Sequence, residues 1–155
     1  MSDPAVIHDT FVLTRDYPAS LSAAFAAFAD PVKKRRWYGE GRGHDVESFT
    51  MDFRVGGEES FVYRLDETTP FKGVEMASTG RYEDIVPEQR VVVSATMTLG
   101  GRRISVTLVT FELSAIDTGT RLVVTHQAVF LPGADGPAMR RGGWEALLDK
   151  LGQSL

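Results

Sequence analysis

The sequence contains no cysteine, which excludes disulfides, thiol nucleophiles and thiolate metal sites. It also has no long apolar run: nothing approaches the roughly 18 residues that cross a bilayer. The opening "MSDPAVIHDT" carries neither the basic start nor the apolar stretch of a secretory leader. Positive charge is not in excess. With 17 Lys+Arg against 21 Asp+Glu the net charge is -4, which argues against a general nucleic-acid binder. The three histidines, His8, His44 and His126, lack the spacing of a metal site. No P-loop, dinucleotide fingerprint or G-x-S-x-G motif is present. The expectation is a cytoplasmic protein with no metal, no cofactor, no nucleic-acid partner and no integral membrane segment.

What is there is the make-up of a soluble globular domain. The 155 residues are 43% hydrophobic and 25% charged, and they are read as one domain over 1–155. Ile7–Arg15 alternates as a strand, stopped by Tyr17-Pro18. Leu21, Phe25 and Phe28 recur at helical spacing in the Ala-rich stretch 19–31, and Asp30-Pro31 ends that helix. A second short helix is expected over 31–39, with Pro31 in its first turn and Gly39 at its end.

From residue 46 to 130 the period is two. Phe49, Met51 and Phe53 share a face, as do Phe61, Tyr63 and Leu65. So do Val91, Val93, Ala95 and Met97, and later Leu122, Val124, His126 and Ala128. Short turns separate these runs, which makes neighbouring strands antiparallel. The run "ISVTLVTFELSAID" changes phase. A bulge near Leu108-Val109 would reconcile its halves; otherwise Ser105 and Thr107 face inward.

The chain closes on a helix over 139–155, with Trp144, Leu147, Leu148, Leu151 and Leu155 as its apolar stripe. Pro137 suits its first turn and Asp135 its cap. Gly142-Gly143 precedes Trp144, and Gly143 on the flank of the buried face is expected to let the helix backbone approach a strand or loop. Gly142 is given a hinge or early-turn role. One strand, two short helices, six strands and a long helix predict an α+β fold. A curved antiparallel sheet would wrap the last helix and leave an internal cavity between them.

The segments "DPVKKRRWYG", "MDFRVGGEESFVYR", "GRYEDIVPEQRVVVS", "TFELSAIDTGTRLVVTHQAVF" and "GGWEALLDKL" resemble, in order, the activator-of-Hsp90-ATPase-homologue-like branch of the START-like superfamily. The resemblance implies the helix-grip (Bet v1-like) fold: seven antiparallel strands, two small helices after the first, and a long C-terminal helix over a cavity. Functions in that superfamily include hydrophobic-ligand carriers, polyketide cyclases, natural-product resistance proteins and a co-chaperone. The strand at 90–98 often carries tryptophans in that family, where this chain has Ala95 and Met97; smaller side chains imply more room. The co-chaperone's additional N-terminal domain has no counterpart in these residues.

Four groups then stand as candidates. His126 faces inward and can be a general base or a neutral hydrogen-bond partner, against the plainer reading of a core histidine bonded to a neighbouring strand or helix. As an acid–base group it would need Tyr63, Glu145 or Asp149 beside it. Trp37 and Tyr38 flank the loop "GEGRGH" and form either a gate at the cavity mouth or, for Trp37, an anchor on the core. Arg140 can hold an anionic or carbonyl group, against a snorkelling surface role. "KKRR" (33–36) is read as a solvated face. Phe49, Met51, Phe61, Met97, Phe111, Trp144, Leu147 and Leu148 complete the expected lining. The leading expectation is a binder of hydrophobic or aromatic small molecules. Its alternatives are a cyclase or aromatase using His126 and Tyr63, or an Hsp90 co-chaperone-like interaction module; a homodimer is the assembly considered.

Overall fold

A computed structural model describes residues 5–41 and 43–155; Arg42 of the loop "GEGRGH" lies outside them. Seven strands form one antiparallel sheet: β1 (Ile7–Tyr17), β2 (His44–Met51), β3 (Glu58–Leu65), β4 (Glu75–Val86), β5 (Arg90–Leu99), β6 (Arg102–Ile116) and β7 (Gly119–Phe130). Their order across the sheet is β1-β7-β6-β5-β4-β3-β2, so each of β2 to β7 pairs with its sequence neighbour and β1 closes on β7.

Two short helices cross from β1 to β2, and each is capped from its own sequence. Ser20 accepts from Ala23 N at the start of α1 (Leu21–Ala29). Asp30 ends α1 and caps α2 (Pro31–Lys34), its carboxylate accepting from Val32 N and Lys33 N. A π-turn, Arg35–Gly39, continues α2 and closes with Glu40 N donating to Arg35 O at 2.9 Å.

Three register shifts bend the sheet, at Val46/Ser48 in β2, at Tyr82/Asp84 in β4 and at Met97/Thr98 between β5 and β6. The last lies at Ile104, opposite which Met97 pairs with Ser105 and Thr98 with Arg103. The bulge is therefore not at Leu108-Val109. Leu108 and Val106 face solvent, and Ser105 and Thr107 stand on the concave side, the second of the two arrangements open to that strand. Apolar density in the 109–113 half decides the phase: Val109, Phe111 and Leu113 are all buried.

The long helix α3 (Pro137–Ser154) lies across the concave face. Pro137 is at its start, but Gly136, not Asp135, is the capping residue, because the Asp135 carboxylate is bound to Arg140. Its buried residues are Arg140, Trp144, Leu148 and Leu151, while Leu147 is partly buried and Leu155 is exposed. The glycine pair does not do what its position suggests: a Cβ on Gly142 or Gly143 would meet nothing within 4 Å. The close approach is at Gly152, packed on the Tyr17 ring.

From the helix, Trp144, Leu148 and Leu151 pack into the core beneath it. Two concavities lie elsewhere, on the open surface. One, of about 380 Å³, is lined by Glu58, Thr79, Arg81, Ser94, Thr96 and Val106 among others. The other, of about 360 Å³, is lined by Gln89, Arg90, Glu112, Leu113, Ser114 and Val123.

Candidate ligand site beneath the C-terminal helix

Alternation along β7 carries His126 to the concave face beside Leu122 and Val124. It is 1% exposed. Phe11, its partner across β1, stacks on the imidazole at 4.5 Å and 10°, and Phe130 lies on it at 6.5 Å and 25°. Trp144 meets it at an angle, 6.2 Å away. In this apolar setting Nδ1 has no hydrogen-bond partner on any other described residue. Burial, and next the charge of Arg140, push the imidazole pKa down to about 4, so it is neutral at pH 7.

Arg140 enters one turn before Trp144. Nε and Nη2 donate to the two Asp135 oxygens, each at 2.8 Å, a bidentate pair. Nη2 also donates to Ser105 Oγ at 3.0 Å, and the guanidinium lies 5.0 Å over the Phe130 ring. Arg140 is therefore a buried, structured cation rather than a snorkelling surface residue. Ser105 meets it because it shares the inward phase of Val109 and Phe111, just past the bulge at Ile104.

An aromatic wall rises from β2 and β3. Tyr63 packs 4.7 Å from Phe61 and 4.7 Å from His44, with Phe49 behind at 5.8 Å from Phe61. Burial raises the Tyr63 pKa, and the charge of Arg140 opposes that rise. Tyr38, from the π-turn, bridges this wall to the helix at 5.7 Å from Phe61 and 6.2 Å from Trp144. Its pKa is raised by burial and then by the Glu59 carboxylate. Trp144 thus touches both His126 and Tyr38, Phe130 lies between His126 and Arg140, and Phe61 links Tyr38 to Tyr63. Met97 adjoins them through its pairing with Ser105.

The other expected lining residues belong to the core. Trp37 is fully buried and donates from Nε1 to Ala27 O at 2.8 Å, so it anchors the small helices and gates nothing. Phe111 packs on Phe28 at 5.0 Å and on Trp144 at 5.7 Å. Leu148 is fully buried in the same cluster, with Leu147 and Met51 at its margin. The carboxylates considered as partners of His126 are engaged elsewhere: Asp149 with Arg15 at 2.5 Å, and Glu145 with Arg141 at 3.1 Å.

A second buried polar group has no counterpart in the sequence reading. Lys34, expected on a solvated face with its basic neighbours, is 3% exposed. Its ammonium donates to Glu59 Oε2 at 3.1 Å and lies 4.7 Å from the Tyr38 ring and 5.4 Å from that of Trp37. Tyr82 donates to the same Glu59 oxygen. A signal for this pair exists in the sequence: Glu59 shares the inward phase of Phe61 and Tyr63, an anomalous place for a lone carboxylate. Among the described residues no group of three or more His, Asp or Glu is placed to hold a metal ion, and no helix is long and apolar enough to cross a membrane.

The model of the activator of Hsp90 ATPase homolog 1-like proteins matches residues 18–155. The chain belongs to that family. The Mll3558 protein of Rhizobium loti has a solved structure that superposes with a TM-score of 0.86 at 39% identity, covering 98% of this chain and 100% of that one. A Rhizobium leguminosarum protein does so at 0.86 and 33% identity, over 97% and 95%. An AHSA1-like protein from Aeromonas hydrophila, at 16% identity and a TM-score of 0.64 over 94% and 91%, shares the fold. No match is found among curated proteins. The helix-grip architecture expected from the resemblance is the one this AHSA1-like chain adopts.

Proposed function

We propose that the protein binds a small hydrophobic or aromatic molecule between the concave sheet and α3, with His126 as its polar contact. The observation that carries this reading is the unpartnered Nδ1 in a nearly fully buried ring. Buried polar groups are almost always hydrogen-bonded, and leaving one unpaired costs about 1–3 kcal/mol. A ligand oxygen beside Nδ1 removes that cost, while the rings of Phe11, Phe130 and Trp144 supply apolar contact. Tyr38, on its short π-turn, and the partly exposed Tyr63 beside it form the point of entry.

His126 works in this reading as a neutral hydrogen-bonding group. A pKa of about 4 makes a weak general base, and the carboxylates of Asp135, Glu145 and Asp149 are each bound to an arginine. Native mass spectrometry of gently purified protein, with a thermal-shift screen of aromatic and fatty compounds, tests the reading. Bound small molecule, or a stabilising compound whose effect His126→Phe removes, is the expected result. Absence of both refutes it.

A further inference from the structure

We infer that the ligand of this site is an uncharged aromatic molecule presenting a carbonyl or hydroxyl oxygen to His126, and that the site discriminates against carboxylates. The inference rests on the binding reading above and follows from how charge is distributed under the helix. The buried cations already have anionic partners: Arg140 is matched by Asp135 in a bidentate pair, and Lys34 by Glu59. Asp9, on the concave row opposite Ala128, adds a carboxylate that makes no ion pair among the described residues. A carboxylate entering here would therefore be a buried charge in excess, the situation that costs most in a low-dielectric interior.

The remaining polar groups suit a neutral oxygen. Ser105 and the two tyrosines carry hydroxyls, His126 is held uncharged, and Arg140 Nη1 makes no hydrogen bond among the described residues. Burial keeps both phenols protonated, so each remains a donor as well as an acceptor. The stacked rings around His126 favour a flat apolar body over a flexible chain.

Nile red, itself uncharged, serves as the probe, displaced at pH 7 by four compounds on one naphthalene ring: 2-ethylnaphthalene, 2-naphthol, 2-acetylnaphthalene and 2-naphthoate. The alcohol and ketone are expected to displace it at about fivefold lower concentration than the hydrocarbon, the worth of one hydrogen bond. The carboxylate is expected to be at least about tenfold weaker than the ketone. Asp135→Asn frees the Arg140 charge and is expected to shift the carboxylate-to-ketone affinity ratio about tenfold toward the carboxylate. Wild-type preference for 2-naphthoate, or a ratio that Asp135→Asn leaves in place, overturns the inference while binding itself stands. Failure of Nile red and of all four compounds to bind overturns the binding reading and this inference with it.

Discussion

The Tyr17 ring packs against Gly152: a Cβ at residue 152 would sit 2.9 Å from Tyr17 Cε1, and the phenol donates to Leu148 O at 2.7 Å. One contact thus fixes the last turns of α3 on the end of β1, and burial pushes the Tyr17 pKa up to about 12. Gly152→Ala is expected to destabilise the protein by about 1–3 kcal/mol through overpacking. Gly142→Ala and Gly143→Ala, both with open space around them, are each expected to stabilise it by about 0.5–1 kcal/mol. Urea unfolding of the three variants checks the contrast; a stabilised Gly152→Ala would contradict the packing.

Lys34 and Glu59 predict a different signature. Removing one member leaves the other charged and buried, so Lys34→Met and Glu59→Leu should each cost about 3–5 kcal/mol. The double variant should recover most of that loss, since two apolar side chains can replace a buried pair. A double-mutant cycle by denaturant unfolding reads the coupling. Additive losses would mean that the pair is not the unit the geometry makes it.

Trp144 touches the rings of Tyr38, Phe111 and His126 and stands where core and candidate site meet. Trp144→Ala should cost about 3–5 kcal/mol. A loss under about 1 kcal/mol in thermal or urea unfolding would show that Trp144 does not hold the helix on the sheet.

What is legible in the sequence follows from periodicity. Alternation places Phe61, Tyr63, Val124 and His126 on the concave face, and helical spacing puts Trp144 and Leu148 on the buried side of α3, as the structure has them. Polar groups escape such a reading wherever a tertiary partner decides. Lys34 looks like one of four surface cations until Glu59, 25 positions away, is brought to it. Asp135 has the residue type and position of a helix cap, and Arg140 takes its carboxylate instead. The phase of β6 depends on a single extra residue, Ile104, and periodicity alone cannot say where in a strand such a residue sits. The packing role that the sequence suggests for Gly143 belongs to Gly152; nothing in the structure explains why residues 142 and 143 are both glycine.

The neutral, unpartnered imidazole of His126 makes the last prediction one of pH. Its pKa falls from an ordinary 6.5 to about 4 on folding, chiefly through burial. Between those values the unfolded chain binds a proton that the folded one does not, so stability rises with pH across this window. The contribution is complete above about pH 6.5 and is lost as pH falls toward 4. Its size is at most about 3.5 kcal/mol, at roughly 1.4 kcal/mol for each pH step between the two values. His126→Phe keeps an aromatic ring against Phe11 and removes both the titration and the orphan Nδ1. The variant is therefore expected to match or exceed wild-type stability at pH 7, and to lose the slope between pH 6.5 and 4. Urea midpoints of the two proteins, taken at half-unit steps from about pH 8 to about pH 4, measure this directly. Parallel curves would show that the acid sensitivity arises from other groups and that the imidazole is not held neutral by its burial.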